Sequence, residues 1–219
     1  MIISKLNSIE NEIQLKIDEF SISNYKPKII AVSKTFPLKE IMPLINHGHI
    51  HFGENKVQEA LDKWSTIKMD FKELKLHMIG KIQTNKVKHV VELFDYIHSL
   101  DNRKLAEKIS NEQQKKSKNL KIFIQVNIGN EGQKSGITMD KLNEFYNICT
   151  QDLNLNIVGL MCIPPNDGKP ELYFDKMQKL KNTLPINELS MGMSEDYLNA
   201  IKYGSTFVRI GSKIFGVRS

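Results

Sequence analysis

The alternation of short apolar segments with longer amphipathic ones constrains the fold of this 219-residue chain more than any other feature. Near-continuous apolar strands are typical of parallel sheets that are buried on both faces. We expect eight strand segments, each with its following turn, at 28–33, 49–55, 75–81, 95–101, 120–129, 156–165, 188–194 and 206–216, the last including a short helix. We expect the intervening helices at 38–47, 56–67, 85–93, 102–118, 140–151, 171–183 and 195–203, with Asp101 as the N-cap of the fourth of these. This pattern predicts an α/β fold, a single TIM (β/α)8 barrel.

An additional helix is predicted ahead of the barrel, within residues 1–24. Its apolar residues recur at steps of three and four, which is the spacing of one helix face. The competing fold is a doubly wound sheet, which usually has a Gly-rich turn after its first strand. Here the first strand ends in Ser33, Lys34 and Thr35. No Pro- or Gly-rich linker divides the chain, so we treat 1–219 as a single domain with the first helix packed on the barrel.

Composition narrows the class of protein. The net charge is +6, but the 28 lysines are scattered among acids and only three arginines are present. Base recognition favours arginine and stacking aromatics, so we do not expect nucleic-acid binding. Two cysteines without metal spacing indicate a reduced, cytoplasmic protein. The acidic, amphipathic start does not resemble a signal peptide, and no apolar run approaches the roughly 20 residues of a membrane span.

Lys34 stands where the first strand of the barrel ends. Active sites of TIM barrels lie at the carboxyl ends of the strands. A lysine partly desolvated there is expected to have a lowered pKa, and its free amine can form a Schiff base with a carbonyl compound. Taken alone, a lysine at such a position is more often a surface residue whose stem packs on apolar neighbours.

The loops after the seventh and eighth strands, SMGMS (190–194) and RIGS (209–212), suggest a phosphate site. Glycine allows close approach of a ligand, and free amides at a helix start favour a phosphate. Ser194 is a plausible N-cap, although Glu195 and Asp196 would have to point away from the anion. A reactive amine beside a phosphate site suggests a phosphorylated aldehyde, and pyridoxal 5′-phosphate (PLP) is the commonest such cofactor.

Several histidines invite a metal-site interpretation. The series His47, His49 and His51 has strand spacing, but no carboxylate or cysteine partner is evident, so we expect no metal there. His77 and His98 fall inside strand patterns and are predicted to be hydrogen-bonded barrel residues. Cys162 has no visible base partner and is not expected to be a nucleophile.

Eight motifs taken in order carry a resemblance to a known family over residues 28–217. They are AVSK, HFGENKVQE, HMIGKIQTNK, HSLD, QVNIGNEGQKSGI, GLMCIPP, LSMGMSEDYLNAI and VRIGSKIFG. The chain resembles the YggS-type family of pyridoxal phosphate homeostasis proteins, whose barrel is like the N-terminal domain of alanine racemase. It departs from the family at Lys81-Ile82 (usually Pro-Leu), Thr84 (often Ser) and Leu76 (often aromatic).

The resemblance implies a set of cofactor-binding residues. Lys34 would carry PLP as a Schiff base, and Arg209 would approach the pyridine nitrogen. Asn55 would lie near the ring's substituents and Met161 would line the ring. The phosphate would be surrounded by Ser190, Ser194, Gly211 and Ser212.

The resemblance also implies a PLP carrier acting in vitamin B6 and amino-acid homeostasis, with no or negligible catalysis. The alternative is an amino-acid racemase of low activity. A two-base racemase needs an acid/base group on each face of the substrate, and the tyrosine that serves one face in the resembling racemases comes from a domain this chain lacks. The implied partners are PLP and PLP-dependent apo-enzymes, and the implied state is a monomer.

Overall fold

Eight parallel strands close into one barrel in the computed structural model, which describes residues 1–22 and 25–216. Each strand pairs with its sequence neighbours, and β1 closes the barrel against β8. The strands are β1 Lys28–Val32, β2 His51–Glu54, β3 Lys75–Met78, β4 Tyr96–Leu100, β5 Lys121–Gln125, β6 Ile157–Met161, β7 Glu188–Met193 and β8 Phe207–Ile210. The predicted TIM barrel is therefore confirmed.

The helices surround the barrel and mostly match the predicted ranges. They are α1 Ile2–Glu19, α2 Leu38–Asn46, α3 Val57–Trp64, α4 Ile67–Asp70, α5 Val87–Leu93, α6 Arg103–Lys116, α7 Leu142–Asn147, α8 Pro170–Lys181, α9 Tyr197–Lys202 and α10 Ser212–Phe215. Short 3₁₀ turns precede α5 and α7, and a π-helical turn at Ile148–Asp152 follows α7. The helix predicted over 56–67 is divided into α3 and α4.

Two predicted helix caps were wrong. Asn102, not Asp101, is the N-cap of α6, because its side chain accepts a hydrogen bond from the Leu105 amide at 2.9 Å. Ser194 does not cap α9, which begins later, at Tyr197, with Asp196 in the N-cap position. In both places two or three polar residues precede the helix, and sequence alone did not show which of them the chain uses.

The additional helix α1 is present and lies against α2, α9 and α10. It ends at Glu19, and residues 23–24 of the predicted range lie outside the described residues, as do 217–219 at the other end. Its buried side chains are Leu6, Ile9, Ile13 and Ile17, which continue the apolar layer between the barrel and its helices. Spacing of three and four residues gave this face correctly.

A second, smaller cluster fills the inside of the barrel. Its apolar members are Ile30, Val32, Tyr96, Phe123, Met161 and Phe207. Three histidine rings lie among them: His51, His77 and His98 each lie within 6.5 Å, ring centre to ring centre, of Phe207. The interior is thus partly polar, whereas bulky aliphatic side chains dominate most TIM barrels.

Candidate functional site

A cavity of about 690 Å³ opens at the carboxyl ends of the strands. Its volume falls within the range typical of small-molecule sites. It is lined by Val32, Lys34, Phe36, Asn55, Ile79, Gly80, Lys81, Gln125, Ser135, Met161, Ile163, Met193, Ser194, Glu195, Arg209, Gly211, Ser212 and Gly216. Seven of the eight predicted cofactor-binding residues are in this set, and Ser190 is the exception.

Strand register explains why residues distant in sequence meet here. Ala31 of β1 is level with Ile210 of β8, so the turns that carry Lys34 and Gly211 leave the barrel side by side. Val32 is level with Gly53 of β2, which places Asn55 on the other side of Lys34. The parallel closed sheet therefore delivers the lysine between a polar amide and a glycine turn.

The turn that carries Lys34 has an unusual backbone. Thr35 adopts a φ of 69°, in the left-handed region that a β-branched residue rarely enters. The Thr35 amide donates to Glu59 Oε1 at 2.5 Å. Such a conformation persists only where the surroundings hold it, so the Glu59 carboxylate fixes the residue next to Lys34.

Behind this turn lies a group of ionised side chains that we call the carboxylate clamp: Glu54, Glu59 and Lys63. Lys63 Nζ lies 2.9 Å from Glu54 Oε1 and 3.1 Å from Glu59 Oε1, and it also donates to the Ser33 carbonyl. The side chains of Lys63 and Glu54 are only 8% and 0% exposed. The clamp therefore ties the backbone beside Lys34 to β2 and α3.

Two further donors hold Glu54 at one of its two carboxylate oxygens. Glu54 Oε1 also accepts from the Ser33 hydroxyl at 2.8 Å and from Trp64 Nε1 at 3.0 Å. Burial alone would raise the pKa of Glu59, but the Thr35 amide and the Lys63 ammonium outweigh it, so its pKa is lowered. Glu59 is consequently an anion at neutral pH, as its role in holding Thr35 requires.

Asn55 presents a polar atom without a partner. Its side-chain Oδ1 is buried and accepts no hydrogen bond from the described residues. Gly80 packs directly on its backbone, since a Cβ at Gly80 would lie 2.2 Å from the Asn55 carbonyl oxygen. A buried acceptor without a donor is costly, so Asn55 Oδ1 is suited to accept a hydrogen bond from a bound molecule.

Arg209 reaches the cavity from β8, the strand that pairs with β1. Its Nη1 donates to the carbonyl oxygen of Ser190 at 2.7 Å and to the Ser190 hydroxyl at 2.8 Å. Its Nη2 donates to the Cys162 carbonyl at 2.9 Å. The side chain is thus fixed at two of its three nitrogens while the residue still lines the cavity.

The charge of Arg209 has no ionised partner among the residues that the structure describes. Its hydrogen-bond acceptors are all neutral, and Asp196 acts on it only from a distance. Burial lowers the pKa of this guanidinium, yet arginine stays protonated in proteins. A buried cation held by neutral groups makes this side of the cavity attractive to an anionic or electron-rich ligand.

The two glycine loops lie at the mouth of the cavity. Gly192 has a φ of 89°, and a Cβ there would lie 2.7 Å from Ala200 Cβ, so only glycine allows α9 to pack on the end of β7. The Asp196 carboxylate turns back to accept from the Met193 amide at 2.6 Å. Glu195 does not turn away from the cavity and stays exposed at its rim.

Comparison with known proteins identifies the family. The model of the alanine racemase N-terminal domain matches residues 6–219. A pyridoxal phosphate homeostasis protein of Vibrio alginolyticus is 40% identical over 201 residues, 87% of this chain and 86% of that protein. The chain belongs to the pyridoxal phosphate homeostasis protein family. A relative of the same description from Escherichia coli K12 is 37% identical over 199 residues, covering 87% and 85% of the two chains.

Solved structures agree with the family assignment. The PLP-bound structure of PipY from Synechococcus elongatus PCC7942 has a TM-score of 0.85 and 31% identity, covering 99% of this chain and all of PipY. Alanine racemase of Clostridium difficile 630 has a TM-score of 0.68 at 11% identity, covering 95% of this chain but 57% of the racemase. The second likeness shows the fold alone.

Ser190 lies behind Arg209 in this family member and not at the cavity surface. It is 0% exposed, and its hydroxyl lies between the arginine and His98 Nδ1, 2.8 Å from each. The resemblance implied a contact with the phosphate for this serine. The structure instead gives it contacts with the side chain that lines the cavity.

Sequence reasoning missed the carboxylate clamp and the partners of the barrel histidines. From sequence, Glu54 and Lys63 look like ordinary charged residues of a turn and a helix, although Glu54 is the last residue of a short strand. His77 and His98 were correctly predicted to be hydrogen-bonded barrel residues: His77 Nδ1 lies 2.9 Å from His98 Nε2. Their alternation with apolar strand residues was the available signal.

Neither metal chemistry nor thiol chemistry finds support here. Within residues 1–22 and 25–216, no three histidine, cysteine or acidic side chains are grouped so that they could hold a metal ion. Burial raises the pKa of the Cys162 thiol to about 12, which keeps it protonated. The described helices include none that is long and apolar enough to cross a membrane.

Proposed function

We propose that this protein binds PLP in the cavity at the barrel mouth, attached covalently through Lys34, and carries it for PLP and amino-acid homeostasis with negligible catalysis. The observation that supports this most is the placement of Lys34 and the buried Arg209 on the same cavity, on adjacent strands. An amine and an uncompensated cation suit a ligand that has both an aldehyde and negative charge.

The residues at the cavity fit such a ligand in three ways. Asn55 Oδ1 lacks a donor, and a ring hydroxyl supplies one. Ser194, Gly211 and Ser212 lie together at the loops, where backbone amides and hydroxyls suit a phosphate. Met161 lies at the end of β6, where its polarizable thioether suits the face of a flat ring.

Arg209 sets what the bound cofactor can do. PLP, when bound, supplies an aldehyde that bonds reversibly with amines and a ring that withdraws electrons. The guanidinium is already a cation and lies beside where the ring nitrogen is proposed to sit, so it opposes protonation of that nitrogen. An unprotonated ring is the weaker electron sink, which favours carrying PLP over carbanion chemistry.

The choice between carrier and racemase depends on acid/base groups on the two faces of the ligand. None of the six tyrosines in the sequence is among the described residues that line the cavity. Tyr197 donates to Glu12 and Tyr203 to Glu171, away from the cavity. With no tyrosine among the described lining residues to serve the second face of the ligand, the cavity supports the carrier over a two-base racemase.

The partners that we propose follow from this role. An open cavity lets an incoming amine exchange with Lys34, so the recipients are PLP-dependent apo-enzymes in the cytoplasm. We propose that the protein acts as a monomer. Sedimentation at micromolar concentration tests this state, and a discrete dimer would contradict it.

The first experiment compares visible spectra of the wild type, Lys34→Ala and Lys81→Ala after PLP is added and excess is removed. Lys81 also lines the cavity and is the matched control. We expect a yellow band in the wild type and in Lys81→Ala, reducible by borohydride, and none in Lys34→Ala. A band retained in Lys34→Ala would mean that another lysine holds the cofactor. No band in any protein would contradict PLP binding.

A second experiment uses PLP-loaded protein to distinguish PLP transfer from amino-acid racemisation. We expect it to reactivate a PLP-dependent apo-enzyme while leaving the optical rotation of added L-alanine unchanged over hours. Loss of optical rotation without reactivation would favour the racemase.

A further inference from the structure

A continuous line of side chains runs through the barrel from Arg209 to the opposite end. The Ser190 hydroxyl lies 2.8 Å from His98 Nδ1, and His98 Nε2 lies 2.9 Å from His77 Nδ1. His77 Nε2 lies 2.9 Å from His51 Nδ1, and His51 is half-buried at the start of β2. We call His51, His77 and His98 the histidine line.

Neighbouring aromatic rings hold the histidine line in place. The ring of His77 stacks on Tyr96 with centres 4.2 Å apart, and His98 stacks on Phe123 at 4.3 Å, both at 15° between planes. His77 and His98 are 0% exposed. Since both nitrogens of each buried ring are hydrogen-bonded, rotating any ring would break two hydrogen bonds.

Arg209 fixes the direction of these hydrogen bonds. A guanidinium only donates, so the Ser190 oxygen accepts from it. The serine proton then has one acceptor, His98 Nδ1, because among the described residues only Arg209 and His98 are hydrogen-bonded to that hydroxyl. It follows that His98 donates from Nε2 to His77, and that His77 donates from Nε2 to His51.

We infer that the histidine line positions Arg209 for the ligand and stabilises its charge without neutralising it. Each residue of the line turns its acceptor atom toward the guanidinium and donates in the direction away from it, so the dipoles add and polarise one another. A carboxylate in the same place would form an ion pair and cancel the positive charge. The inference rests on the proposed function, in which Arg209 faces the ring nitrogen of PLP.

The histidine line must stay neutral to act in this way, and its surroundings favour that state. Burial, His49, Lys28 and Lys75 lower the pKa of His51 to about 4, and only Asp95 opposes them. A protonated imidazole has an N–H on both ring nitrogens. One of these would face the donor of the neighbouring residue, and that hydrogen bond of the line would be lost.

The buried members are held neutral as well. Burial first, and then the neighbouring imidazoles and Lys28, lower the pKa of His77 well below its usual value. For His98 burial and Arg209 do the same, with a further contribution from His51. Near the arginine the remaining titratable groups are Cys162, which burial keeps protonated, and Asp196 at a distance.

Nitrogen NMR of the full-length protein, with and without PLP, tests the direction of the line at pH 7. We expect His98 and His77 to be neutral with the proton on Nε2, as read from the ¹⁵N shifts of the two ring nitrogens. A proton on Nδ1 of His98, or an imidazolium at either ring, would overturn the inference. The ring protonation can be measured without PLP, so this experiment tests the histidine line independently of the proposed PLP binding.

Substitutions at His98 test the positioning role on the PLP-loaded protein. His98→Phe keeps the ring and its stacking but removes the acceptor for Ser190, whereas His98→Gln restores an acceptor. We expect His98→Phe to weaken PLP binding about tenfold and to shift the visible band, which reports the charge beside the ring, and His98→Gln to restore both partly. His89→Phe, at an exposed position of α5, is the control.

The outcomes at His98 separate positioning from packing. A wild-type band position and wild-type PLP affinity in folded His98→Phe would overturn the inference. Equal losses in His98→Phe and His98→Gln with an unshifted band would do the same, since they would indicate packing alone. If His98→Phe does not fold, the NMR measurement decides.

Discussion

On the β1–β2 side of the cavity the lysine turn is held by ionised groups, whereas on the β7–β8 side Arg209 is held by neutral ones. Glu54 and Glu59 both pair with Lys63 behind Thr35. Arg209 has only carbonyl and hydroxyl acceptors, with imidazoles behind them. The two sides of the same barrel therefore hold their cavity residues with different kinds of partner.

The difference follows from what each cation has to do. Lys34 needs a fixed position at the cavity. The charged groups of the clamp hold the backbone of its turn from behind and do not face the ligand, so their charges do not interfere with binding. Arg209 must present its own charge to a ligand, and a carboxylate beside it would weaken that attraction. Neutral dipoles hold the guanidinium and leave its charge available.

Acid should destabilise the protein through its buried imidazoles, and this is the largest effect that we expect. Burial leads the causes that lower the pKa of His49 and His51 to about 4, against about 6.5 for an unfolded imidazole. Between these values the unfolded chain binds more protons, so stability is complete above pH 6.5 and falls as the pH drops toward 4. At pH 5 the loss is about 2 kcal/mol for each of these imidazoles. His77 and His98 add to it.

Urea unfolding at pH 7.5, 6 and 5 measures this loss. His51→Gln should remove about 2 kcal/mol of the pH dependence, because one imidazole no longer takes up a proton on unfolding. His89 is 41% exposed in its side chain, and His89→Gln is the control that should leave the slope unchanged. A free energy of unfolding that is flat from pH 7.5 to 5 would show that the line is not held neutral.

Breaking the charged side should give the next largest effect. Glu54→Ala leaves the buried Lys63 with one carboxylate and leaves the Ser33 hydroxyl and Trp64 Nε1 without their acceptor. Removing one partner of a buried ion pair costs about 3–5 kcal/mol. We expect a loss of that size in urea unfolding, together with weaker retention of PLP.

An exposed ion pair provides the matched control for the clamp. Lys179 and Asp175 pair on the surface of α8 with side chains 74% and 36% exposed. Asp175→Ala should change the free energy of unfolding by less than about 1 kcal/mol. Equal small losses for Glu54→Ala and Asp175→Ala would mean that the clamp does not hold the lysine turn.

The sequence predicted the barrel because strand periodicity and length are local properties. It placed the eight strands and the additional helix, and it located Lys34 at a strand end. Helix starts were less predictable, since Asp101 and Asn102 are both good caps and only the folded chain shows that Asn102 accepts the Leu105 amide. The resemblance, rather than periodicity, supplied the other cavity residues.

The supporting groups of the site could not be predicted because they depend on register between distant strands. Ser190 and Arg209 meet across a β7–β8 pairing whose register shifts between Ser190 and Met193. His98 reaches Ser190 although the two are 92 positions apart. A single sequence carries no signal for such a pair, so the serine was assigned to the phosphate instead of to the arginine.

Replacing Arg209 should show most clearly how the two sides differ. We expect a small change in the free energy of unfolding and a larger loss of PLP affinity. Arg209→Met leaves the Cys162 carbonyl without its donor and the Ser190 carbonyl with only the Cys162 amide, at 3.3 Å, but it also removes a buried, uncompensated charge. These contributions oppose each other, so we expect the free energy of unfolding to change by less than about 1 kcal/mol, well below the loss in Glu54→Ala. PLP affinity, measured by equilibrium dialysis, should still fall about tenfold, equivalent to about 1.4 kcal/mol. A loss of stability as large as that of Glu54→Ala would show that Arg209 is a structural cation like Lys63, and the contrast between the two sides would fail.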